Sequence, residues 1–129
     1  MIGKVIKNKF DNTAALNNVF AGRVYPFIGV QGGTTPFVIY DVSSVRSEGS
    51  KDADSHIDIV DVNITMIGED YGVLQQAVAD VRTAFVRMNE TIEGVNVASC
   101  SFDTQSDAFN VDEETFGVEV DLSFRVVTS

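Results

Sequence analysis

The chain has 129 residues, 44% of them hydrophobic and 22% charged, which fits one globular domain over residues 1–129 and excludes a disordered, collagenous or coiled-coil chain. Nine Lys and Arg against nineteen Asp and Glu give a formal net charge of −10, the wrong sign for attracting phosphate, so tight nucleic-acid binding is disfavoured. A single Cys100 supports neither an intrachain disulfide nor a cysteine metal site, no apolar run approaches a membrane span, and Met1 to Phe10 lacks the apolar stretch of a signal peptide.

Ile2, Val5, Ile6 and Phe10 recur at three- and four-residue steps and predict a first short helix. A second follows: Thr13 is placed to accept a backbone N–H at its start, Leu16, Val19 and Phe20 form its stripe, and Gly22 suits the left-handed residue that ends it. Residues 23–35 predict turns and extended backbone, because Pro26 and Pro36 push Tyr25 and Thr35 out of the helical region. Phe37 to Val45 predicts a strand, paired with His56 to Ile67, where Val60, Val62, Ile64 and Met66 alternate with Asp61, Asn63 and Thr65. The polar run Arg46 to Ser55 between them is too long for a tight turn and predicts a projecting loop.

Asp70 is a good N-cap for a helix running to Asn89, with Leu74, Ala77, Val78, Val81, Phe85 and Met88 among the residues of its apolar face. Val95 to Phe102 predicts a third strand and Phe116 to Val127 a fourth, while the acidic connection Asp103 to Thr115 predicts an arm or a loop. The expected fold is α+β: a mostly antiparallel four-stranded sheet, with a long helix over about 70–89 and short N-terminal helices packed on one face, and long projecting loops.

The catalytic inventory is thin. His56 is the only histidine and enters a strand from a polar loop, with no second His for a metal and no nucleophile in a recognisable order. Cys100 alternates with Ala98 and Phe102 and reads as an inert thiol on an apolar strand face. The acids Asp112, Glu113 and Glu114, or Asp52 and Asp54, lack the ligand spacing of a calcium loop, and Gly29, Gly32 and Gly33 lack the lysine and helix start of a phosphate loop. No catalytic residue, cofactor or metal is expected.

Four segments in order, Gly22-Arg23-Val24-Tyr25-Pro26, Gln31-Gly32, Pro36-Phe37-Val38-Ile39-Tyr40 and the ending Gly117 to Val127, resemble the tail-completion or tail-terminator proteins of long-tailed bacteriophages and prophages. The resemblance implies a non-enzymatic virion protein assembled in the bacterial host cytoplasm. It implies a homo-oligomeric ring, commonly of six copies, on the head-proximal end of the tail tube. Such a ring stops tube polymerisation, meets the tail tube protein on one side and the head connector or stopper on the other, and passes DNA without binding it specifically or touching a membrane. The alternatives are another neck or tube component on a similar domain, or a small acidic ligand-binding domain or enzyme.

Two sets of site residues follow. Eight acids lie in Asp41 to Asp70 and seven in Asp103 to Asp121, and an acidic lumen wall lowers adhesion of DNA, so Asp58, Asp61, Asp103 and Asp107 are expected to face the lumen. Ring closure needs surface patches that differ from their mates, so the two loops are expected to touch a neighbouring subunit or ring. The residues are Arg46, Glu48, Lys51, Asp52 and Asp54 in one, and Phe109, Asp112, Glu113 and Glu114 in the other.

Overall fold

The computed structural model describes residues 2–26, 35–47, 57–86, 88–110 and 114–127, with backbone only at 109 and 110. In chain order the elements are α1 (Ile2–Asn12), α2 (Ala14–Phe20), β1 (Val24–Pro26), β2 (Phe37–Ser47), β3 (Ile57–Gly68), α3 (Tyr71–Phe85), β4 (Glu90–Ile92), β5 (Val95–Asn110) and β6 (Thr115–Val127). The strands form one six-stranded sheet in the order β1-β2-β3-β6-β5-β4.

This corrects the expected fold class. The sheet has six strands rather than four and is mixed, because β1 runs parallel to β2 while the other pairs are antiparallel. The two additional strands are three residues each and sit at the sheet edges, where a strand can contain Pro26 without losing a ladder bond. The expected long helix is also shorter: α3 has fifteen residues and ends at Phe85, with Val86 already extended. Met88 is nevertheless buried, so the apolar spacing past Phe85 reports burial and not helix. The chain leaves α3 to form β4, and Glu93 and Gly94, both left-handed, turn it tightly into β5.

The largest departure is β5, which continues eight residues beyond Phe102 to Asn110. Residues 104–110 lack an apolar alternation, but each pairs with β6, from Thr104 opposite Asp121 to Asn110 opposite Thr115. Backbone pairing to the best strand of the chain outweighs their weak local preference. The connection expected over 103–115 is therefore mostly strand, and what joins β5 to β6 is short.

The helices cover one face of the sheet. Val60, Val62, Ile64 and Met66 of β3 and Val118, Val120, Leu122 and Phe124 of β6 are buried there, against Leu74, Val78 and Val81 of α3 and Val5, Ile6 and Phe10 of α1. Four phenylalanines run through this core: Phe20 meets Phe10, Phe10 meets Phe85, and Phe85 meets Phe124, with ring centroids 5.8, 5.9 and 6.0 Å apart. Asp70 caps α3 as expected, its carboxylate accepting from the Val73 N–H at 3.2 Å. Thr13 holds the N-cap position of α2 but its side chain makes no capping bond. Its backbone instead bridges α1 and α2, donating to Lys9 and accepting from Asn17. The left-handed end of α2 takes two residues, Ala21 and Gly22.

Candidate functional site

Opposite the helices the sheet presents a polar face. The same alternation that buries Val60 to Met66 places Asp61, Asn63 and Thr65 outward, level with Ser123, Asp121 and Glu119 of β6. In β5 the residues level with them are Ser101, Thr104 and Ser106. Register then converts a row of polar residues into a network. Asp61 accepts from Ser44 at 2.7 Å and from Ser123 at 2.8 Å, and pairs with Arg46. Asp121 accepts from Asn63 at 2.8 Å and from Thr104 at 2.6 Å. Thr65 donates to Asn63 at 3.1 Å, and Ser106 to Glu119 at 3.5 Å.

Both oxygens of Asp61 and of Asp121 are thus engaged. The hydroxyl of Ser44, and after it Arg46 and Ser123, hold the Asp61 carboxyl below its ordinary value against the opposing effect of desolvation. The face is consequently a fixed array of charged carboxylates whose nearest donors are already committed.

The four acids expected to face one lumen lie on both sides of the sheet. Asp61 is in the polar network, and Asp103, at a β5 bulge, accepts from Ser101 beside it at 3.3 Å. Asp107 lies on the helix side, where it accepts from Tyr71 and, at 3.4 Å, from Gln75 of α3. The Tyr71 phenol is raised by that bond to Asp107. Asp58 is also on the helix side, lining a groove of about 360 Å³ with Val42, Val45, Val60, Val95 and Val126. Of the expected contact residues, Arg46 lies in β2, bonded to Asp61, and Glu114 is a left-handed residue in the turn before β6. Phe109 is a strand residue paired with Phe116. Glu48, Lys51, Asp52, Asp54, Asp112 and Glu113, with His56 and the glycines at 29, 32 and 33, lie outside the described residues.

Sequence reading missed Asn63, Thr104, Glu119 and Asp121 as members of one network. Their outward alternation was visible, but which residues stand level across β3, β6 and β5 depends on register and on the bulges at Ala98 and Asp103. Burial pushes the Cys100 thiol up to about 12, with a smaller contribution from Asp103, which leaves it un-ionised at neutral pH. Among the described residues no group of three or more His, Cys, Asp and Glu is placed to hold a metal, and no helix is long and apolar enough to cross a membrane.

A family model described as Tail completion protein gp17 matches residues 6–127. Among solved structures, a chain from the virion of a native gene transfer agent particle superposes with a TM-score of 0.73 at 14% identity, over 95% of this chain and 91% of that chain. At that identity the likeness shows a shared fold. Two chains from Akkermansia muciniphila align at 14% identity, over 69% and 70% of this chain and 45% and 42% of theirs, with TM-scores of 0.31 and 0.32 that carry no argument. No curated protein matches the chain.

Proposed function

The chain belongs to the tail completion protein gp17 family and is a structural component of a phage-type virion tail, and we propose from this premise that it assembles as a ring, commonly of six copies, on the head-proximal end of the tail tube. The ring stops tube polymerisation and offers its other side to the head connector or stopper. The family match over residues 6–127 is the observation that carries this reading.

The polar sheet face supports a more specific assignment. A channel that passes DNA works best when its wall repels phosphate and offers few uncommitted donors to hold it. The face with Asp61, Asp121, Glu119 and Asp103 meets both conditions, since its carboxylates are fixed and many of its hydroxyls and amides already donate to them. We assign it to the lumen wall, with the helices directed outward. Arg46, Phe109 and Glu114 are proposed to contact a neighbouring subunit or the adjacent ring, together with Glu48, Lys51, Asp52, Asp54, Asp112 and Glu113, which lie outside the described residues. The reading is non-enzymatic: the groove is lined mainly by valines, without the convergent polar groups of a catalytic pocket.

Purified protein mixed with tail tubes and viewed by electron microscopy tests the reading. One cap on one end of each tube is the expected result. Long stacks of the chain itself would assign it to the tube or neck instead, and a chain that leaves tube ends bare would overturn the proposal.

A further inference from the structure

The sheet is open along parts of both its edges. β1 covers β2 only from Val38 to Tyr40, and β4 covers β5 only from Val95 to Val97. Among the described residues, the outer edges of β2 from Asp41 to Ser47 and of β5 from Ala98 to Asn110 have no partner strand. Their outward N–H and C=O groups form a template for another strand. The bulges at Ala98 and Asp103 leave the end of β5, from Thr104 to Asn110, straight.

The two open edges suit each other in direction and in face. Successive strands in the series β2-β3-β6-β5 are antiparallel, so β5 of one copy set beside β2 of the next also runs antiparallel to it. β1 limits the overlap: Asn110 of one copy can reach Asp41 of the next, the first β2 residue past β1, and no further. With the Ser43 bulge passed over as it is against β3, Val42 then stands level with Phe109, Ser44 with Ala108, Val45 with Asp107 and Arg46 with Ser106. Every pair matches faces. Val42, Val45 and their mates lie on the helix side, and Ser44, Arg46 and theirs on the polar side, an agreement that a slip of one residue would destroy.

This register also fits a closed ring. Within one subunit Thr104 stands level with Asp41, through Asn63 and Asp121, and Asn110 lies about 20 Å further along β5. Four strand spacings, about 19 Å, are thus matched by a step of about 20 Å along the strands, a tilt of about 45° that is close to the tilt of closed strand barrels. Charge agrees on the shared polar face. Arg46 bonds Asp61 and Ser44 through Nη1 alone and its side chain is 55% exposed, so its remaining donors are open to Ser106 and to Glu119, which Ser106 already contacts. On the other face the contact covers the exposed Val42 and Val45, and Asp107 enters it already bonded to Tyr71 and Gln75. Pairing β5 with β5 about a two-fold axis would instead bring the acids Asp103 and Asp107 of both copies together, with no base on either strand segment.

We propose that the occupant of the open β5 edge is β2 of a second copy of this chain, Thr104 to Asn110 pairing antiparallel with Asp41 to Ser47 so that the sheets of successive subunits join into one wall. The two different edges make the contact heterologous, as a ring requires. The inference rests on the ring reading and names its subunit contact.

The test uses the full-length chain. Ser44→Cys protein mixed with Ala108→Cys protein should form a disulfide-linked dimer containing one of each under mild oxidation, while neither variant links to itself. Both positions are exposed, and Cys100 stays silent because it is buried. A doubly substituted chain should give a ladder up to the closed ring. In the wild-type chain, hydrogen exchange of the outward amides between Thr104 and Asn110 should slow by more than about tenfold on assembly. A ring-sized species in light scattering that shows neither the mixed crosslink nor this protection would overturn the edge pairing and leave the ring standing. Self-crosslinking of Ala108→Cys alone would also overturn it, in favour of a two-fold contact. A wild-type chain that remains monomeric with and without tube ends would overturn both.

Discussion

The two faces of the central sheet are built from alternate residues of the same strands and are held together by different physics. On the helix side Val60, Val62, Ile64 and Met66 are closed off by α1 and α3, and stability comes from removing apolar surface from water. On the other side Asp61, Asn63 and Thr65 lie in a lattice of directed bonds to Ser44, Ser123 and Asp121. The covered face therefore carries most of the folding free energy. The open face contributes less to stability and more to the character of the surface, because its bonds replace bonds to water while its charges stay fixed.

Substitutions on the two faces should separate these roles. Phe85→Ala should have the largest effect, since Phe85 links Phe10 to Phe124 in the buried aromatic series. A loss of about 3–5 kcal/mol in chemical denaturation is expected, and a loss below about 1 kcal/mol would contradict a core centred on that series.

Asp61→Asn should cost about 1–2 kcal/mol near neutral pH by weakening the bonds to Ser44, Ser123 and Arg46. The folded Asp61 carboxyl titrates below its ordinary value of 3.8, so the unfolded chain takes up the proton first as pH falls. Its contribution is fully present above that ordinary value and is lost as pH drops through the lowered folded value. Wild type should lose stability over that acid interval more steeply than Asp61→Asn, as followed by thermal melts from pH 6 downward. Parallel curves would remove Asp61 from the network.

Smallest of all should be Ser106→Ala. Its bond to Glu119 is 3.5 Å long and exposed, so the change should stay within about 0.5 kcal/mol. A larger loss in the same denaturation assay would show that the outer end of β5 is held by more than its backbone pairing to β6.

Much of this architecture was legible in the chain. The strict alternation of β3 and β6 names their dry faces, and Asp70 marks the start of α3 to the residue. Legibility failed where pairing overrides local preference. Residues 104–110 read as an acidic connection and are strand only because β6 lies beside them, and Glu90–Ile92 becomes β4 only because Glu93 and Gly94 fold it back on Val95–Val97. The polar network was half visible, since composition shows that polar side chains alternate outward but not which ones stand level. The groove was hidden for the same reason. Val42 and Val45 read as ordinary strand residues, and only the bulge between Val42 and Ser44, with helices that stop short of them, leaves both on the helix side and in solvent.

The most direct measurement is a cryo-EM reconstruction of the assembled protein on tail tube ends, at a resolution that follows the strands. The expected result is a single closed ring with Asp61, Asp121 and Glu119 toward the central channel and α1 to α3 on the outside. A ring with the helices lining the channel and these carboxylates on the outer rim would contradict the assignment of the two faces.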